Sequence, residues 1–268
     1  MPSGALNRSR KARVGREVVC ELVFRPLAHA VVLALVPLRV APPLVAATAG
    51  ATGVVAAVQL GQGRFLAAAL LLQLKTVLDN ADGQLARLTD RITAFGRYLD
   101  SELDLIVNAA LFAAVGWSTG RPLLAAAGFV ALTTVLNANY NAERLYRAER
   151  GDEAGTMPEA QGRADGLLRG LYLLLYAPQD RMVERFVSHR LRWASPLARL
   201  AYHDRLTVSI LANLGMSTQL LAFGVCIAAG RPAAFAWIAL GQLGLVALLC
   251  LRRELAIRTV IELKEKSL

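Results

Sequence analysis

Apolar residues along this chain fall into long runs separated by short polar breaks. The runs lie at about 43–60, 65–82, 96–117, 122–143, 206–229 and 232–251. Each is near the ~20 residues that an α-helix needs to cross ~30 Å of hydrocarbon. The pattern predicts an all-α integral membrane protein with six transmembrane helices. Ahead of the first run, the stretch from Phe24 to Val40 is interrupted by Arg25, Pro26, His29, Pro37 and Arg39. It is too polar to span comfortably and reads as an N-terminal helix lying at the membrane interface. Between the fourth and fifth runs, Gly151, Asp152, Gly155 and Pro158 mark a loop, and the apolar stretch Leu167–Ala177 predicts a further interfacial or short buried helix. The expected organisation is a basic tail and interfacial helix over residues 1–41, then one membrane domain over 42–268 that includes a polar loop at 144–205.

Charge gives these spans a direction. Lys and Arg number seven in residues 1–41, eleven in 144–205 and five in 252–268, whereas the opposite loops carry only Arg64, Arg121 and Arg231. By the positive-inside rule both termini and the 144–205 loop are cytoplasmic, in a multi-pass protein of the plasma membrane. Composition agrees, with 55% hydrophobic and 19% charged residues and a mean hydropathy of +0.43. That is more apolar surface than one soluble core of this size buries. A net charge of +10 would suggest nucleic acid in a soluble protein, but aromatic residues are only 6% and no nucleic-acid motif is present. The anionic inner face of the bilayer accounts for the charge instead. The basic stretch Arg8–Arg16 resembles the start of a signal peptide, yet no small-residue cleavage site follows, so it is read as retained. Cys20, Cys226 and Cys250 have no paired spacing, and His29, His189 and His203 are too scattered for a zinc site.

Four aspartates break the apolar background. Asp79 and Asp82 stand near the cytoplasmic end of the second run, Asp100 and Asp104 near the cytoplasmic start of the third. A carboxylate in hydrocarbon costs roughly 2.5–3.5 kcal/mol on insertion scales, which makes it a functional candidate by default. The spacings i, i+3 and i, i+4 put each pair on one face of its helix. Two adjacent helices then present four carboxylates to one point, where divalent cations relieve the repulsion most directly. An all-oxygen set suits Mg²⁺ or Mn²⁺ better than zinc. A cap or snorkelling residue at the membrane boundary would explain one aspartate, but not four at two helical spacings with Gly83 and Arg87 between them. A calcium EF-hand fails on register, since Gly83 as its sixth residue would put Leu78 at the first ligand position.

The motif Asp79-x2-Asp82-Gly83-x2-Ala86-Arg87-x8-Gly96-x3-Asp100-x3-Asp104 resembles the signature of the CDP-alcohol phosphatidyltransferases, integral membrane enzymes with six spans. The resemblance extends over residues 24–145 and more loosely to the C-terminus. It implies attack by an alcohol hydroxyl on the β-phosphorus of a CDP-linked lipid, with release of CMP. It also implies two divalent ions, Mg²⁺ or Mn²⁺, one held by Asp79, Asp82 and Asp100 and the other by Asp79, Asp100 and Asp104, with Asp104 as the general base. Gly83 and Ala86 would let the nucleotide approach the helix, Arg87 would contact the diphosphate, and Thr93 and Gly96 match CDP-lipid-binding positions. Without the motif, close helix packing in the membrane would also explain the two small residues, a positive-inside anchor would explain Arg87 equally well, and a loop cap would explain Thr93. Two departures stand out: the Thr-Pro-Asn-like element of the first span reads Ala41-Pro42-Pro43-Leu44-Val45-Ala46 here, and Leu105 replaces the basic residue that commonly follows the last aspartate.

Asn137, Tyr140, Asn141 and Arg144 recur at i, i+3, i+4 and i+7, a polar helix face that points either into an acceptor pocket or at a neighbouring helix. The phosphatidylinositol-phosphate synthase branch carries Lys-Ala-Arg there, whereas this chain reads Asn141-Ala142-Glu143-Arg144. That branch's later arginine-rich element is reduced to Gly162-Arg163-Ala164-Asp165, which leaves Arg163 as its remaining candidate. The leading expectation is a phosphatidyltransferase of phospholipid biosynthesis that joins a CDP-activated lipid, CDP-diacylglycerol, to a small polyol or polyol phosphate. An enzyme condensing a CDP-polyol with a polyol phosphate is the alternative within the family. A cation transporter would spread acidic residues through several spans, yet the fifth and sixth hold none before Glu254. The resemblance suggests a homodimer, and small-residue spacings such as Ala49/Gly53 permit close helix contact.

Overall fold

A computed structural model describes residues 14–152, 170 and 177–265, with side chains through residue 258. The basic tail before Val14, the turn at Gly155 and Pro158, Arg163, and all but Gly170 and Ala177 of the stretch expected to be helical at 167–177 lie outside the described residues. Among those described, the regular structure is entirely helical. A π-helical turn Cys20–Phe24 runs into α1 (Arg25–Leu35), and then come α2 (Pro42–Gly61), α3 (Phe65–Leu88), α4 (Ala94–Thr119) and α5 (Pro122–Ala148). The described residues continue with α6 (Ala177–Arg190), α7 (Pro196–Tyr202), α8 (Arg205–Ala212), α9 (Met216–Ala228) and α10 (Pro232–Glu265). Prolines open α2, α5, α7 and α10, where the missing N–H is one the first turn would leave unpaired anyway. Gly120, at φ +66°, ends α4 in the left-handed conformation that glycine adopts without strain.

Among the described residues, four stretches are long and apolar enough to cross a membrane: Pro42–Gly61, Pro122–Ala148, Pro196–Ala228 and Pro232–Arg258. α3 and α4, with 24 and 26 residues, have the length, but Lys75, Asp79, Asp82 and Arg87 on one and Asp100, Glu102 and Asp104 on the other lower their hydropathy. The run expected at 206–229 is not one helix. Asp204 Oδ1 accepts from Thr207 N at 3.0 Å and starts α8. The chain then breaks at Asn213–Gly215 before α9. The segment Val14–Val18 fills that break: Glu17 Oε1 accepts from the Thr218 backbone N at 2.7 Å and from its hydroxyl at 2.9 Å. Val18 N donates to Asn213 Oδ1 at 3.0 Å, and Asn213 Nδ2 donates to Arg16 O at 3.2 Å.

The main apolar core joins α2, α3, α4, α5, α9 and α10 through Leu60, Leu72, Leu111, Phe112, Leu132, Phe223 and Phe235. The Phe223 and Phe235 rings stack at 4.3 Å, and Phe112 lies against Phe223 at 5.3 Å. α3 and α4 pack mainly along α2 and not along each other. The small residues of α2 make this possible, because a Cβ on Gly50 would come within 2.8 Å of Leu103 and one on Gly53 within 2.6 Å of Val107. The Ala49/Gly53 spacing is therefore used inside the protomer, where both residues are buried.

Gly128 of α5 makes a comparable close approach. A Cβ there would lie 2.7 Å from Phe112 Cε1 and 2.9 Å from Ala236 Cα, so a backbone must move. Gly128→Val should cost about 1–3 kcal/mol and lower the melting temperature of the detergent-solubilised protein by several degrees. Gly241→Ala, with open space around its Cβ, should leave melting unchanged or slightly higher.

Candidate active site

The helical period divides α3 between two tasks. One face carries Asp79, Asp82, Gly83 and Ala86. The other is fastened to its neighbours: Gln73 Nε2 donates to Leu220 O at 3.1 Å, Asn80 Nδ2 to Ser217 Oγ at 3.2 Å, and Gln84 Nε2 to Arg25 O at 3.2 Å. Cys20 Sγ donates to Asn80 Oδ1 at 3.2 Å, bringing the π-helical turn to the same face. After Leu88 the chain reverses through Asp90, whose φ of +53° is left-handed and tolerated by aspartate. Arg91 N closes the turn onto Ala86 O at 2.9 Å. Thr93 then caps α4, its Oγ1 accepting from Gly96 N at 3.1 Å.

This arrangement collects the aspartates. Carboxylate oxygens of Asp79, Asp100 and Asp104 all lie within 4.8 Å of one another, and all three residues are half-buried. Asp82 stands outside that trio and is 7% exposed, its Oδ2 buried without a hydrogen-bond partner. Three converging carboxylates and a fourth with an unpaired buried oxygen suit a hard divalent cation and fit Mg²⁺ or Mn²⁺.

The sequence reading missed one member of this cluster. Lys75 is 1% exposed and lies one turn before Asp79. Its Nζ donates to Asp79 Oδ1 at 2.8 Å and pairs with Asp104 Oδ1 on the other helix. The i, i+4 spacing of Lys75 and Asp79 was a local signal, and Lys75 is the one basic residue within the apolar run at 65–82.

Arg87 curls over Gly83, so that a Cβ on Gly83 would lie 3.2 Å from Arg87 Nη1. Ala86 is half-buried on the same face. Thr93 and Gly96 are joined to each other by the α4 cap. Asn137, Asn141 and Arg144 come together, but against α6. Asn137 Nδ2 donates to Gln179 Oε1 at 3.0 Å, and Asn141 Nδ2 to Asp180 Oδ1 at 2.9 Å. Arg144 Nη1 lies 3.3 Å from Glu184 Oε2 and donates through Nη2 to Asn141 Oδ1 at 3.0 Å. Tyr140 is 46% exposed and does not join this group. Gln179, Asp180 and Glu184 carry no motif, and their pairings span about 40 residues of sequence, so no local pattern announced them.

Residues 30–249 match the model of the CDP-alcohol phosphatidyltransferase family. The chain is 28% identical over 137 residues to an archaetidylinositol phosphate synthase of Aeropyrum pernix, which covers 51% of this chain and 69% of that protein. It is 34% identical over 79 residues to a bifunctional IPC transferase and DIPP synthase of Thermococcus kodakarensis, which covers 29% of this chain and 18% of that protein.

Asn141, 2% exposed, holds α6 against α5. Asn141→Ala should leave Asp180 without this donor, costing about 1–3 kcal/mol. Hydrogen–deuterium exchange should then speed up across 177–190 while the α3 and α4 amides keep their protection.

Proposed function

The chain belongs to the CDP-alcohol phosphatidyltransferase family, and on that premise we propose that it moves the phosphatidyl group of CDP-diacylglycerol onto a hydroxyl of a small polyol or polyol phosphate. The observation that carries this reading is the convergence of Asp79, Asp100 and Asp104 from two helices that both pack along a third. Asp79, Asp82, Asp100 and Asp104 would hold two divalent ions, Mg²⁺ or Mn²⁺. Such ions, when bound, neutralise a diphosphate and stabilise the leaving CMP. Asp104 takes the proton of the acceptor hydroxyl as its oxygen bonds to the β-phosphorus. The bond from that phosphorus to the oxygen bridging to CMP breaks, and CMP leaves with the bridging oxygen. Arg87 contacts the diphosphate by charge-assisted hydrogen bonds. Gly83 and Ala86 leave the nucleotide room beside α3, and Thr93 and Gly96 border the lipid nucleotide from the start of α4.

In the bilayer, α2, α3, α4, α5, the α8–α9 pair and α10 would form six spans. The outward side chains support this, since Leu66, Leu70, Trp117, Leu123, Trp237 and Leu248 are all more than half exposed and apolar. α1 would lie at the interface, burying Ala28 and Val32 against α3 while Leu27 and Leu33, with Leu22 of the preceding π-helical turn, are exposed. The basic residues of the N-terminal, 144–205 and C-terminal segments would place both termini and the aspartate cluster on the cytoplasmic side. Asn137, Asn141 and Arg144 would form the acceptor's side of the site, with Arg163 and Tyr140 as further candidates. A homodimer rests on the family resemblance.

Purified protein in detergent, given Mg²⁺ and CDP-diacylglycerol, should release CMP only when an acceptor is added from a panel of glycerol phosphate, inositol, inositol phosphate and serine. Asp104→Asn should lower that rate by about 10²–10⁴-fold, the usual contribution of a positioned base. Gly83→Leu should abolish CDP-diacylglycerol binding without lowering the melting temperature. Binding of CDP-diacylglycerol with no turnover on any acceptor would turn the reading toward a CDP-polyol donor, and failure to bind any CDP-linked alcohol would sink it.

A further inference from the structure

Lys75 takes no part in the transfer derived above, yet it is the most completely enclosed charge in the site. The chain uses lysine at only four positions, 11, 75, 264 and 266, and arginine at its other basic positions. An arginine presents a wide planar fork, whereas a lysine presents a compact point charge on a flexible stem. A compact charge is what bridging two carboxylates on different helices requires. The Lys75 stem passes beside α2 where Gly53 leaves room, since a Cβ there would lie 3.2 Å from Lys75 Cγ. The Nζ is given to Asp79 and Asp104, two of the three carboxylates whose oxygens lie within 4.8 Å of one another. The ammonium and a divalent ion bound by that trio therefore call on the same oxygens.

We propose that Lys75 is a positioning residue, a built-in counter-ion that holds Asp79 and Asp104 together across α3 and α4 before any divalent ion binds. A divalent ion then binds by exchange, taking oxygens that Lys75 gives up, so the residue that assembles the site also weakens its metal affinity. This rests on the metal-dependent reading above and adds to it a way of keeping four carboxylates in place while the metal comes and goes.

The test is Mn²⁺ binding to the full chain in detergent, followed by the electron paramagnetic resonance signal of free Mn²⁺, alongside melting in EDTA and in Mn²⁺. Lys75→Gln and Lys75→Met should bind Mn²⁺ at least about tenfold more tightly than the unsubstituted protein, roughly 1.4 kcal/mol. Both should melt at lower temperature in EDTA and recover most of that loss when Mn²⁺ is added. Lys75→Arg keeps the charge but not the compact fit, so it should melt earlier in EDTA while keeping the weaker Mn²⁺ affinity; if the neutral variants do not fold, tighter Mn²⁺ binding by Lys75→Arg would overturn the proposal. Equal Mn²⁺ affinity in Lys75→Gln and the unsubstituted protein would overturn the proposal even if Lys75→Gln melts early, because a lysine that only packs would behave that way. If neither the unsubstituted protein nor any variant binds Mn²⁺, the metal-dependent reading fails and takes this proposal with it. Binding by Lys75→Gln alone would be the exchange in its strongest form.

Discussion

Everything at the centre of this protein follows from the repulsion among four carboxylates set in an apolar bundle. At an effective dielectric constant of 20, two unit charges about 4 Å apart interact by about 4 kcal/mol. Several such pairs would push α3 and α4 apart unless something opposed them. The counter-charge in the structure is Lys75, inserted between Asp79 and Asp104. Removing one partner from a buried pair of this kind typically costs about 3–5 kcal/mol, because the charge left behind has no water. α3 and α4 each pack along α2 more than along each other, and this common support serves the same constraint. The small residues of α2 let both helices approach it closely, which brings their aspartates to one place.

Helices that bring like charges together keep their places only if they are held from behind. Gln73, Asn80 and Gln84 tie the back of α3 to α9, the π-helical turn and α1. Hydrogen bonds of this kind contribute about 0.5–1.5 kcal/mol each, and losing one inside a bundle costs more because water does not replace it. Ser217, the partner of Asn80, lies in the first turn of α9, whose N-terminus is held by Glu17. The break at Asn213–Gly215 is thus the place where the Val14–Val18 segment is fastened to the wall of the site. An unbroken helix there would offer no unpaired N–H groups for Glu17 to satisfy.

Features set by local spacing were legible in the sequence. The i, i+3 and i, i+4 intervals of Asp79, Asp82, Asp100 and Asp104 are properties of a single helix turn, so their faces followed once the apolar runs were read as helices. Thr93 was singled out for the same reason, as a lipid contact or a loop cap, and the structure makes it the N-cap of α4. Lys75 also sits at a local interval, but only its distance to Asp104, 29 residues away, shows it to be a bridge and not one more charge on a helix. The pairings of Asn141 with Asp180 and of Glu17 with Thr218 join segments far apart in the chain and leave no periodic trace. Hydropathy alone overstated the continuity of the 206–229 run, because glycine and asparagine at Asn213–Gly215 scarcely lower an average dominated by leucine and isoleucine.

Under the proposed chemistry, the face on α5 would receive the acceptor. Arg144 and Glu184 form a partly exposed pair, with side chains 33% and 54% accessible, and such pairs contribute only about 0–1 kcal/mol. A phosphate offers the guanidinium stronger, charge-assisted hydrogen bonds, so an acceptor phosphate would displace Glu184 readily. Asn141 is in the opposite position, buried and donating to Asp180. A phosphate brought there would meet a carboxylate of like charge, whereas a neutral hydroxyl could donate to that carboxylate and accept from the amide. With the acceptor on that face, its two ends would favour different parts of the molecule, a charged group at Arg144 and hydroxyls at Asn137 and Asn141. A basic residue at position 141, as in the inositol-phosphate-using branch, would pair with Asp180 and remove that division.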